Sequence, residues 1–245
     1  MGTILEVYHG SKYKIDHPYL GGGSAHNDFG SGFYVTQFKK LAHEWACSDG
    51  KDGIVNQYHL DTNGLNTLNF TSENYNILNW AATLLKYRKD EDTGPAEGSK
   101  KYLIDNFSVD IDSYDLIYAY RADDSYFRFT RLFLQNFLSL ERLEKEMVAG
   151  NLGMQLVLKT QKAFDTISFL QAEPAKADLY IEPESNRFVL PHENEANRLV
   201  EALIPPTDQR PSDETYAYKI IQEGVTNNDP RLSKILSGCR HGKSW

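Results

Sequence analysis

The sequence predicts an α+β fold with a C-terminal extension, on three observations. Through the first 170 residues, short strand-like runs alternate with stretches of helical apolar spacing. No repeat of solenoid period and no low-complexity tract interrupts them. Past residue 171 the texture changes, with seven of the nine prolines lying there. Such proline density favours extended and looped chain with short helices.

The elements follow in order. Residues 3–8 read as a strand and 32–36 as a second, separated by a glycine-rich polar loop over 21–31. Phe38, Leu41, Ala42, Trp45 and Ala46 then fall on one face of a helix. A third strand is expected over 54–60. Ser72 is placed to cap a helix whose apolar face is Ile77, Leu78, Ala81, Leu84 and Leu85. The charged run 86–101, with Gly94, Pro95 and Gly98, reads as a solvated loop. Residues 114–121 form the next expected strand. Phe129, Phe133 and Phe137, and then Leu140, Leu143 and Met147, mark two helices, and 154–160 a last strand. Short helices are expected near 193–203 and 213–223. This divides the chain into a domain at 1–170 and a proline-rich extension at 171–245 that packs on it.

Composition narrows the function. The chain has 245 residues, 40% hydrophobic and 24% charged, enough for one large core or two small ones. A net charge of −8 leaves no surplus of Lys or Arg for general adhesion to phosphate. No apolar run approaches the ~20 residues that span a bilayer, so no membrane partner is expected. The first ten residues read as a strand, not a Sec signal. Cys47 and Cys239 make no disulfide framework and lack metal-ligand spacing, and two free thiols are expected.

Several motif matches are coincidental. Asp28-Phe29-Gly30 spells the metal-binding triplet of protein kinases, but no glycine-rich phosphate loop precedes it and no catalytic HRD loop follows. His43-Glu44 opens like a zinc-protease helix, yet Cys47 stands where its second histidine belongs. The seven histidines do not cluster, so no metal is expected.

What remains is a constellation. Tyr8-His9-Gly10-Ser11 ends the first strand; Asp28-Phe29-Gly30-Ser31-Gly32-Phe33-Tyr34-Val35-Thr36 enters the second; Trp45 follows Tyr34 by eleven positions; Gln155 begins a late strand. A glycine at position 10 leaves backbone N–H and C=O open to a planar ligand. One donor beside one acceptor complements a carboxamide. Tyr34 and Trp45 would stack on its ring, with added attraction if the ring is cationic. His9 would hydrogen-bond a ribose hydroxyl.

In order and spacing these motifs resemble the H-Y-E class of ADP-ribosyltransferases, which includes diphtheria toxin and the poly-ADP-ribose polymerases. They are closest to a bacterial subgroup of toxins and effectors carrying YHGS and DFGxGFYxT. The resemblance spans residues 4–170. It implies two small packed antiparallel sheets (a split β-sheet core) with peripheral helices and NAD, as co-substrate, between the sheets. It further implies His9 on the nicotinamide-side ribose, Gly10 on the carboxamide, Tyr34 and Trp45 sandwiching the nicotinamide, and the 21–31 loop covering the donor. Ser11, Phe29, Gly32 and Thr36 complete the implied binding set. The family's third residue is a glutamate, and Gln155 stands in its place. A glutamine still hydrogen-bonds ribose but is no base, which favours a single transfer over polymer synthesis. Asp123 and Asp124 are then candidates to accept the acceptor's proton.

The implied function is mono-ADP-ribosyl transfer to a protein hydroxyl, host ubiquitin being among the implied acceptors, with release of nicotinamide. Two alternatives stay open: the same chemistry on a nucleic acid, the less favoured acceptor at this charge, and a non-catalytic module that binds NAD or ADP-ribose. The resemblance also implies a bacterial cytoplasmic protein, or one delivered into a host cell by a specialised secretion system, and a potential antitoxin or immunity partner.

Overall fold

A computed structural model describes residues 3–25, 27–88, 96–122, 124–149, 153–181, 188–191, 198 and 211–237. The fold is α+β, with two sheets and several helices. Its strands are β1 (Ile4–Ser11), β2 (Phe33–Val35), β3 (Gly53–Asp61), β4 (Thr67–Asn69), β5 (Leu116–Tyr120), β6 (Met154–Leu158) and β7 (Ile167–Ala175). Its helices are α1 (Lys39–Ala46), α2 (Ile77–Tyr87), α3 (Glu97–Phe107), α4 (Asp124–Leu134), α5 (Leu140–Ala149), α6 (Gln161–Phe164), α7 (Ala217–Gln222) and α8 (Pro230–Ser237). Among the described residues no helix is long and apolar enough to cross a membrane.

The chain divides into two compact units. One comprises residues 1–69, 111–121 and 153–194, and the other 70–110, 122–152 and 195–245. The first holds both sheets. Strands β1, β3 and β7 form one, in the order β1-β3-β7, with antiparallel neighbours. The other runs β2-β6-β5-β4. Its β4–β5 pair is parallel, so the expectation of purely antiparallel sheets is corrected at that edge. Strand β4 is only three residues long and lacks a clear alternating pattern, which left it unread. Strand β7 carries the first sheet past residue 170 to Ala175.

Strand alternation sets the two faces of β1. Val7 packs with Phe33, Val35, Tyr58, Leu60 and Phe164. Tyr8 packs on the other side with Ala42, Ala46 and Val55 beneath α1. The two sheets are joined at one bridge, where Tyr8 and Thr36 exchange both backbone hydrogen bonds (2.7 and 2.9 Å).

The second unit is helical. Helix α2 is buried from Ile77 through Leu85, which makes it the unit's centre. Its cap is Asn76 and not Ser72: the Asn76 amide oxygen accepts from Leu78 N (2.9 Å) and Asn79 N (3.3 Å), and Asn79 Oδ1 accepts from Asn76 N (2.9 Å). That reciprocal box satisfies more of the orphan N–H groups than a lone serine upstream. Asn79 also donates to Phe107 O and to Asn227 Oδ1, both at 2.9 Å. The expected loop over 86–101 is helical at both ends, in α2 through Tyr87 and in α3 from Glu97. Gly98 is tolerated there because it falls in the first turn, and a Lys101–Asp105 pair (2.7 Å) supports the helix. Thr215 N donates to the Glu141 carboxylate (2.9 Å) and Thr215 O accepts from Leu140 N (2.7 Å), fastening the chain before α7 to the start of α5. The helix expected near 193–203 lies almost wholly outside the described residues.

Candidate functional site

The sequence constellation converges in the first unit, where β1 and β2 separate beyond their bridge. Tyr8 spends its N–H and C=O on Thr36. In an antiparallel pair successive residues direct these groups to alternate edges, so those of Gly10 point the same way as those of Tyr8. No hydrogen bond from a described residue reaches them there. This donor and acceptor stand side by side on that strand edge.

Position 10 must be glycine for a second reason. A Cβ there would lie 1.9 Å from Ala42 O, 2.5 Å from Ala46 N and 2.9 Å from Trp45 Cβ. The missing side chain lets α1 press onto β1 and brings the Cβ of half-buried Trp45 close to Gly10. Gly53 serves the same contact, since its Cβ would come within 2.2 Å of Ala46 O.

His9 points to the opposite face of β1. Its ring lies 4.5 Å from the Phe33 ring, and Nδ1 is 2.7 Å from Tyr34 O. A carbonyl only accepts, so Nδ1 carries the hydrogen and Nε2 keeps its lone pair. Burial lowers the His9 pKa, only partly offset by that bond, which keeps the ring neutral at pH 7.

Tyr34 holds the segment before it. Its hydroxyl accepts from Phe29 N (2.9 Å) and donates to Gly30 O (2.8 Å). Gly30, at φ 72°, makes the turn that closes from Gly30 N to Asn27 O (2.9 Å). Lys159 Nζ donates to Phe29 O and Ser31 O, both at 2.7 Å. Gly32 passes close to β6, where a Cβ would meet Val157 Cγ1 at 2.6 Å. The end of the 21–31 loop is therefore anchored from 27 onward, with residues 21–25 exposed.

Gln155, on β6, completes the cluster. Its amide donates to Asp28 Oδ2 (3.2 Å) and to Tyr120 O (3.3 Å), and the side chain is 2% exposed. Asp28 is only half-buried. Hydrogen bonds thus run unbroken from His9 through Tyr34 and the 27–30 turn to Gln155.

The remaining calls fall as follows. Phe29 and Thr36 are fully buried, which fits anchoring better than ligand contact. The Thr36 hydroxyl donates to Met154 O (2.7 Å) and accepts from Phe38 N (3.1 Å), tying β2 to β6 and starting α1. Ser11 donates to Tyr13 O (2.6 Å) and accepts from Asn56 Nδ2 (3.1 Å), shaping the turn after β1. Asp123 lies outside the described residues, and Asp124 is the first residue of α4 in the other unit. Cys47 is a buried free thiol with a pKa raised by burial. Among the described residues no group of three His, Cys, Asp or Glu side chains is placed to hold a metal.

Residues 5–169 match the model of a family described as "protein of unknown function (DUF3990)". The chain belongs to this family. The DUF3990 match covers both sheets from β1 to the third residue of β7, and every residue of the cluster above. The chain matches no curated protein and no solved structure.

Sequence reasoning missed Asn56, Lys159 and the Glu44–Arg121 ion pair. Asp28 was in view, as the decoy kinase triplet and as the first letter of the DFGxGFYxT motif, but it was given no role in the site.

Proposed function

We propose that this chain is an NAD-dependent mono-ADP-ribosyltransferase with a transferase-like split-sheet core. It moves ADP-ribose to a protein side chain and releases nicotinamide. The observation that carries the reading is the Gly10 strand edge, whose N–H and C=O take no hydrogen bond from the described residues. A backbone donor and acceptor at strand spacing fit the two edges of a carboxamide, and the helix packed on the same glycine carries half-buried Trp45.

The chemistry asks little covalent work of the protein. The bond from the anomeric carbon to the nicotinamide nitrogen breaks, its electron pair leaves with neutral nicotinamide, and the sugar becomes oxocarbenium-like. The residues need to orient the ring, exclude water and stabilise positive charge at that carbon. Neutral His9, with its Nε2 lone pair, suits a ribose hydroxyl donor. The acidic chain favours a protein acceptor, ubiquitin among the candidates, over nucleic acid.

A binding-only module is the second reading, because the buried Gln155 amide brings neither charge nor a base to the cluster. Calorimetric titration with NAD tests what both readings share. Binding by the wild-type chain, weakened at least about tenfold in His9→Ala, is the expected result. No heat of binding from a folded wild-type chain overturns both.

A further inference from the structure

Transfer to a hydroxyl needs an anionic group, both to oppose charge at the anomeric carbon and to take the acceptor's proton. Gln155 supplies neither. The carboxylate joined to its amide, across 3.2 Å, is Asp28. Gln155 is buried and Asp28 half-buried, so of the two it is the carboxylate that solvent and a ligand reach.

Its placement is built by several elements. The turn carrying Asp28 is pinned on both flanks, by the Tyr34 hydroxyl at Phe29 N and Gly30 O and by Lys159 Nζ at Phe29 O and Ser31 O. Gln155 spends one amide hydrogen-bonding group on the Asp28 carboxylate and the neighbouring Tyr120 carbonyl. Such a donor holds a carboxylate in one orientation without neutralising it.

We infer that Asp28 is the catalytic carboxylate of this site and Gln155 the residue that positions it, an inference that rests on the transferase reading above. As the nicotinamide bond breaks and its electron pair departs on nicotinamide, the acceptor oxygen bonds to the anomeric carbon and its proton passes to Asp28. The products are the ADP-ribosylated acceptor, neutral nicotinamide and a proton later lost to solvent. No further reactant is required.

The test follows nicotinamide release from NAD with lysate protein as acceptor, from about pH 5 to about pH 9, alongside NAD binding and thermal melts. Asp28→Asn keeps a group that accepts from the Gln155 amide but removes the charge. It should fold and bind NAD, lose about 100-fold or more in rate, and lose the acid limb of the pH profile. Gln155→Glu sets a second carboxylate against Asp28, and should move that limb at least about one pH unit upward. An Asp28→Asn rate within about threefold of wild type, on an unchanged profile, overturns the inference and leaves the transferase reading standing. If Asp28→Asn fails to fold, an unmoved acid limb in Gln155→Glu overturns it instead. A wild-type chain that releases no nicotinamide overturns the transferase reading and this inference with it.

Discussion

His9 Nδ1 stands 2.7 Å from the carbonyl oxygen of Tyr34, so a ring carried by β1 is oriented by the backbone of β2. The bond fixes the tautomer and leaves Nε2 as the acceptor. His9→Ala should reduce transfer by about 100-fold or more while the fold survives, since the ring lies at the edge of the core, against Phe33, and the strand keeps its backbone pairing. Initial rates of nicotinamide release, with a melting curve to confirm folding, check this. The lowered His9 pKa also sets a pH dependence. Below about pH 6.5 the unfolded chain takes up a proton there that the folded chain resists, so stability falls as pH drops. His9→Gln should flatten that part of the stability profile.

Gly10→Ala sets a methyl group against the main chain of α1, 1.9 Å from Ala42 O. Backbone cannot rotate aside, so a loss of about 2 kcal/mol or more is expected in urea denaturation. Gly98→Ala is the contrasting case. Nothing lies within 4 Å of its added Cβ, and its place in the first turn of α3 predicts a gain of about 0.5 kcal/mol.

Arg121 and Glu44 form an ion pair at 3.1 Å with side chains 5% and 13% exposed. Glu44→Ala takes the carboxylate away from a guanidinium that is largely out of water and should cost about 3 kcal/mol. Replacing both residues by methionine should recover most of that loss, because the desolvation penalty disappears with the charges. A double-mutant cycle of unfolding free energies measures the difference.

Asp115 joins the chain before β4 to the start of α6. Its carboxylate accepts from Thr160 Oγ1 (2.6 Å), Asn66 N (2.9 Å) and Lys162 Nζ (3.0 Å), which brings its pKa down from 3.8 to about 2. The unfolded chain protonates at higher pH than the folded one, so this stabilisation is complete above about pH 4 and disappears as pH falls towards 2. Asp115→Asn should lower the melting temperature at neutral pH and make it less dependent on pH in that acid window. An acid limb as steep as wild type would refute the assignment.

How much of this was legible depended on where the pattern was strong. β1, β2, α1, β3, β5 and β6 carry apolar spacing of the right period, and each was read within a few residues. β7 was not read, because Gln171, Glu173 and Pro174 break its apolar run; it is an edge strand with much of its surface exposed. α3 was hidden by its charge and Gly98. In the site, Gly10, Tyr34 and Trp45 were visible as motif letters, but the reasons for them were not. That Gly10 admits α1, or that the Tyr34 hydroxyl clasps the 27–30 turn, depends on contacts made only in the folded chain. Asp28 was hidden differently, because its partner Gln155 lies 127 residues away.

The central claim is transfer of ADP-ribose from NAD. The direct measurement incubates the purified chain with labelled NAD and cell lysate, and reads nicotinamide release and labelled macromolecules together. The account predicts stoichiometric release with label on a protein band, both lost in His9→Ala. NAD bound by the folded chain, with neither nicotinamide released nor any macromolecule labelled, would contradict it.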